Sequence, residues 1–141
     1  MRIEKFNKSN TELFDQAFKI RETVFIGELK IDPNKEYMYE EESAHYLFFD
    51  EDDKPIATVR FRETSEGYKI ERFAVIKKHR SKGLGQIILN LLLKDLMSLN
   101  ETIYLNAQID AVDFYLRNGF KKIGETFMDA GVEQYKMILE K

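Results

Sequence analysis

Residues 69–99, KIERFAVIKKHRSKGLGQIILNLLLKDLMSL, constrain the chain more than any other stretch. Residues 70–76 are β-branched and aromatic without glycine or proline, which predicts a strand. Residues 77–85 form a short basic turn that carries Gly83 and Gly85. Residues 86–99 follow as a helix, because Leu84, Ile87, Ile88, Leu91, Leu92 and Leu99 recur at helical spacing. A strand that passes through a glycine turn into a helix start presents free backbone N–H groups, and the helix macrodipole favours negative charge there. Gly83 and Gly85 remove side chains that would keep a phosphate from those amides. Lys77, Lys78, Arg80 and Lys82 add positive charge on the approach. The stretch therefore predicts a diphosphate cradle.

The kind of diphosphate follows from what is missing. The Walker pattern is absent, and the dinucleotide fingerprint fails because Ile88 stands where its third glycine belongs. What remains is Arg80-Ser81-Lys82-Gly83-Leu84-Gly85, of the form Arg-x-x-Gly-x-Gly. It resembles the acyl-CoA pyrophosphate loop of the GNAT superfamily of N-acetyltransferases. The plain alternative is a basic loop capping an amphipathic helix.

At 141 residues one domain, 1–141, is expected. Such a chain buries about 65–70% of its unfolded surface, enough for one core. There is no cysteine, which removes disulfides, thiolate metal sites and a Cys nucleophile. The N-terminus MRIEKFNKSN has no apolar signal core, and no apolar run reaches membrane-spanning length, so the expectation is a cytoplasmic protein without a membrane partner. A net charge of −3 gives no nucleic-acid footprint. The charge is unevenly spread: residues 36–53 carry eight acids and no Lys or Arg, and residues 77–82 carry four bases and no acid.

Along the chain, residues 2–6 alternate as an opening strand. Ser9-Asn10-Thr11-Glu12 has the form of a capping box with Ser9 as the cap. The helix behind it has Leu13, Ala17, Ile20 and Val24 on one stripe, Phe14, Phe18, Arg21 and Phe25 beside it, and its end near Gly27. Asp32-Pro33-Asn34 is a turn, and residues 36–43 are irregular or a short helix. Residues 44–49 and 55–62 form a hairpin around 50–54, and a second turn at 64–67 leads into the central strand. Residues 101–106 are a strand, Asp110 caps a helix over 111–118, and Gly119 is its left-handed terminator. Strands at 120–127 and 132–139 close the chain around Asp129-Ala130-Gly131. This strand and helix order predicts an α/β fold: one mixed, mostly antiparallel sheet with helices on both faces, the layout of the GNAT fold.

Two further stretches resemble the same family. Asn106-Ala107-Gln108, then Ala111 to Phe120 with Tyr115 four residues before Gly119-Phe120, is similar to its fifth strand and next helix. Arg21-Glu22-Thr23-Val24-Phe25 with Glu28 is similar to the first helix of a small bacterial subgroup. The resemblance covers nearly the whole chain. It implies an acetyl-CoA-dependent N-acetyltransferase in which an amine attacks the thioester directly and CoA leaves as thiolate. It further implies that the backbone of Phe73, Ala74 and Val75 pairs with pantetheine. The amides of Arg80, Ser81, Lys82, Gly83, Leu84, Gly85 and Gln86 would hold the pyrophosphate, and Asn106 would contact CoA. Tyr115 would be the general acid, since a phenol is protonated at neutral pH and can donate to a departing thiolate. The alternative is a core Tyr with a backbone partner.

The base is open. Glu71 on the central strand can take the ammonium proton directly or through water, or it is an exposed Glu beside Arg72. His45 titrates near neutral pH or is structural. Where the subgroup carries a His before the last strand, this chain has Gln134, which exchanges no proton. Glu28, Glu36, Glu40, Glu41 and Glu42 fall where similar proteins wall the amine side, which favours a cationic acceptor, either a small molecule or a protein amine. The alternatives are a solvated acidic loop, a non-catalytic acyl-CoA-binding module, or a partner-binding domain. The resemblance leaves a homodimer open. A serine hydrolase is opposed by the missing Gly-x-Ser-x-Gly, and a metal enzyme by two distant His and no Cys.

Overall fold

In strand β2 (Ser43–Phe49), Tyr46 and Phe48 pack on one side and Leu47 and Phe49 on the other, all buried. A strand apolar on both faces needs a covering layer on each. The computed structural model describes residues 2–28, 39–40, 42–80, 82–129 and 131–140. Its strands are β1 (Arg2–Phe6), β2, β3 (Pro55–Thr64), β4 (Gly67–Val75), β5 (Ile103–Gln108), β6 (Phe120–Asp129) and β7 (Val132–Leu139). They form one seven-stranded sheet in the order β1-β2-β3-β4-β5-β7-β6. The β4–β5 pair is parallel and the rest are antiparallel. This is the mixed α/β architecture expected.

Helix α1 (Thr11–Arg21) buries Ala17 and Ile20 against Leu47, Phe49 and Ala74 on one face. Helix α2 (Leu84–Met97) buries Ile88, Leu89, Leu92 and Leu96 on the other, with Val112 and Tyr115 of α3 (Val112–Leu116) beside it. Between β4 and β5, Gly67 has φ +132, and a Cβ there would lie 2.3 Å from the Thr102 carbonyl oxygen. That close approach lets the Tyr68 amide donate to Thr102 and start the parallel pairing.

Three local expectations change. Asn10, not Ser9, caps α1, its Oδ1 accepting from the Leu13 amide at 3.2 Å, while Ser9 turns back onto Asn7. Asn caps as well as Ser, and the helix starts one residue later. Asp110 lies inside a 3₁₀ turn (Ile109–Ala111) and caps nothing, though Gly119 does end α3 with φ +89. Beyond Arg21 the helix widens into a π-helical turn over Glu22–Glu28. The expected turn at 32–34 and most of the irregular stretch at 36–43 lie outside the described residues.

Candidate active site

Strands β4 and β5 pair only at Tyr68–Ile103, Lys69–Tyr104 and Ile70–Leu105. Then they part, for a reason that lies in the β3–β4 ladder. Between the pairs Arg60–Glu71 and Thr58–Ala74, two residues of β4, Arg72 and Phe73, oppose Val59 alone. Arg72 takes φ +52 at this bulge. A bulge bends its strand and sharpens its twist. It also resets the alternation, so that Phe73 and Val75 join the core that Ile70 faces. The result is a cleft of about 600 Å³ between residues 71–75 and 105–108. Its β4 wall is a strand edge left unpaired by β5 after Ile70, a template onto which an extended ligand can add. Phe73, Ala74 and Val75 lie on that edge.

At one end of the cleft the chain enters α2. Gly83 is the N-cap with φ +79, a left-handed conformation that suits glycine, and no side chain caps the first turn. The amides of Leu84, Gly85 and Gln86 therefore keep their donors free of a side-chain cap, beside a turn bearing Lys77, Lys78 and Lys82, all exposed. A Cβ on Gly85 would sit 3.7 Å from the Phe114 ring, so a longer side chain must turn toward the cleft that Gly85 lines. Gln86 is spent sideways, its side chain exchanging hydrogen bonds with Asn118 of the turn after α3. Arg80 is likewise engaged: Nε donates to the Val75 carbonyl at 2.8 Å and Nη2 to Glu28 at 2.6 Å. Ser81 lies outside the described residues.

Tyr115 is buried from α3, its ring edge-on to Phe114 and Phe120 at 5.2 and 5.6 Å. It lines the cleft, and burial alone pushes its phenol well above the usual value, with no hydrogen bond among the causes. Asn106 also lines the cleft, half-buried on β5.

Glu71, the candidate base, lies in the cleft wall inside a cluster of cations. It is buried on β4, and its Oε1 accepts from Arg60 Nη2 at 3.1 Å and Arg62 Nε at 2.8 Å, while Lys69 Nζ lies 3.0 Å from Oε2. Burial raises its pKa, but the Arg60 charge and the bonds from Arg62 and Lys69 bring it from 4.5 down to about 2. A carboxylate so held takes a proton from an ammonium poorly. His45 is packed into the core: it is stacked on Phe6 at 5.3 Å, bonded to the Glu40 carbonyl, and does not line the cleft.

Two of the five acids expected on the amine side are paired within the protein, and one of them, Glu28, lines the cleft. Glu40 is buried, taking Arg21 Nη1 and Nη2 at 2.9 and 2.8 Å and Arg60 besides, and Glu28 is held by Arg80. Glu42 is exposed, and Glu36 and Glu41 lie outside the described residues. Sequence reasoning missed the Arg21–Glu40–Arg60–Glu71 chain. Its one signal was Arg21, standing in an apolar row with Phe14, Phe18 and Phe25, where a buried cation needs a partner.

A split mixed sheet with a glycine-turned helix start at its gap defines a class of acyltransferase folds. Residues 11–141 match the family described as Acetyltransferase (GNAT) domain, and the chain belongs to it as an N-acetyltransferase. It is 38% identical over 133 residues to the uncharacterized N-acetyltransferase YjcF of Bacillus subtilis, covering 92% of this chain and 94% of that one. YyaT of the same organism is 32% identical over 130 residues, 89% and 87% of the two chains. Escherichia coli ElaA superposes with a TM-score of 0.87 at 21% identity over 99% and 100% of the chains. An aminoglycoside 6'-N-acetyltransferase complexed with coenzyme A superposes at 0.76, with 17% identity over 98% and 96%. At such identities these two likenesses concern the fold. Among the described residues no helix is long and apolar enough to cross a membrane, and no cluster of metal ligands occurs.

Proposed function

We propose that the protein transfers the acetyl group of acetyl-CoA to a primary amine by direct attack on the thioester. The observation that carries this is the β4–β5 gap, with an unpaired strand edge on one wall, an uncapped helix start at its end and the Tyr115 side chain lining it. Pantetheine lies along Phe73, Ala74 and Val75 as an added strand. The diphosphate sits on the uncapped amides at the start of α2, those of Leu84, Gly85 and Gln86, since the Arg80 amide already donates to the Lys77 carbonyl, and Asn106 offers a carboxamide from β5. The neutral amine attacks the carbonyl carbon, the C–N bond forms, and the nitrogen loses a proton to solvent through the open cleft. The C–S bond then breaks and the thiolate takes the Tyr115 proton, which solvent replaces.

The test is free-thiol release from acetyl-CoA across an amine panel. Amine-dependent release is expected. Tight acetyl-CoA binding with no release across a broad panel would instead favour a non-catalytic acyl-CoA-binding module.

A further inference from the structure

A second cavity, about 560 Å³, adjoins the first, and Lys69 and Asn106 line both. Cross-strand pairing explains its charge: Arg62 on β3 lies opposite Lys69 on β4, and Asn106 on β5 lies opposite Lys136 on β7. All four line the second cavity. The key group is Arg62. Its side chain is 13% exposed, and its Nε is spent on Glu71. Its guanidinium carbon lies 3.8 Å over the Tyr39 ring, which fixes the plane of the fork. Among the described residues no carboxylate takes its two Nη nitrogens. Lys69, whose side chain is 20% exposed, uses one of three donors on that same Glu71. A planar fork held by one edge, with a lysine beside it, matches the geometry of a carboxylate or phosphate.

We propose that the acceptor amine carries an anionic group, a carboxylate or phosphate, which Arg62, Lys69 and Lys136 hold in this second cavity while the amine reaches past Asn106 to the thioester. The proposal rests on the acyl-transfer reading above and reverses the cationic acceptor expected from the acidic segment, whose Glu28 and Glu40 are paired within the protein. Two carboxylates share the cavity, Glu66 and Glu125. Glu66 pairs with Lys136 at the surface, where its side chain is 55% exposed. Exposed pairs of this kind are weak and exchange readily for a better-placed anion.

The test titrates CoA-saturated protein with matched amines: ethanolamine and phosphoethanolamine, glycinamide and glycine, glucosamine and glucosamine 6-phosphate, with spermidine as the cationic control. In at least one pair the member that bears the carboxylate or phosphate is expected to bind about tenfold or more tighter than the member without it, a single charge-assisted contact's worth. Which pair responds separates phosphate from carboxylate. That preference should collapse in Arg62→Gln and in Lys136→Gln, and thiol release should follow the same order. Lys136 is at the surface, so its variant carries the test if Arg62→Gln fails to fold. Binding led by spermidine or by the amines that lack the anionic group, no binding by any member that bears it, or an unchanged preference in Lys136→Gln overturns the proposal. Failure of CoA itself to bind overturns the acyl-transfer reading instead, and the same pairs titrated into free protein still report on the second cavity.

Discussion

The two sides of the cleft are built from different materials. The proposed donor side is backbone: a strand edge left open by a bulge, and the amides of a helix start with no side-chain cap. The proposed acceptor side is side chain: a buried chain of ion pairs running from Arg21 through Glu40, Arg60 and Glu71 to Arg62 and Lys69. Backbone groups can be placed by local sequence, because a glycine and a bulge fix them wherever they occur. Ion pairs between distant strands can be placed only by the finished fold. The donor side can therefore be common to many proteins, while the acceptor side is free to differ.

The largest expected effect breaks the side-chain half. Glu40→Ala leaves the Arg21 and Arg60 guanidinium groups buried without their shared carboxylate. Removing one partner of a buried network costs about 3–5 kcal/mol. For a chain of this size that lowers Tm by roughly 10 °C. Glu28→Gln removes a half-exposed pair with Arg80 and should leave Tm near wild type. Thermal melts of the two variants side by side check the contrast. Equal shifts would mean that the buried chain is no more structural than the surface pair.

The next effect breaks the backbone half. Gly85→Glu sends a carboxylate toward the proposed diphosphate site, since the space behind Gly85 is taken by Phe114. A loss of about 100-fold in acetyl-CoA affinity, about 2.7 kcal/mol, is expected with the fold retained. Calorimetric titration measures it, and unchanged affinity in a folded variant removes the loop from cofactor binding.

Most of the donor side was legible in the sequence. Residues 70–76, the turn and the following helix could be drawn from periodicity and glycine alone, and the structure moves their bounds by only a few residues. The bulge was not legible, because nothing in Glu71-Arg72-Phe73 marks Arg72 for φ +52, and only the mismatch with β3 shows it. The acceptor side misled. Glu40 reads as one of several acids in a polar run, and the Arg21 and Arg60 that bury it lie 19 and 20 residues away in the chain. Glu71 was located correctly, but its role was hidden because its three cations come from β3 and from its own strand two residues back.

Tyr115→Phe sharpens the comparison at the place where the halves meet. The change keeps the ring between Phe114 and Phe120 and removes only the hydroxyl. Loss of a general acid lowers kcat by roughly 10²-fold or more, with KM little changed. Steady-state kinetics on the best acceptor decide this, and a full-rate variant would take Tyr115 out of the chemistry.

The smallest expected effect is a pH dependence of stability, and it separates two layers of the side-chain half. Burial lowers the His45 pKa from 6.5, with the Arg21 and Arg60 charges acting the same way against Glu40. A depressed folded pKa means stability that is fully present above 6.5 and lost as pH falls through the folded value. Glu71 acts lower down: its pKa is held from 4.5 down to about 2, so its contribution is present above 4.5 and drains away toward 2. That contribution is lost only under harsher conditions than the one that His45 makes. Urea unfolding from pH 7.5 to 3 should therefore show two losses of stability, one beginning below pH 6.5 and one below pH 4.5. His45→Gln should flatten the first and keep the second, and Glu71→Gln should do the reverse. If both variants keep both losses, other carboxylates set the acid limit. The buried chain would then be a static scaffold rather than a titrating one.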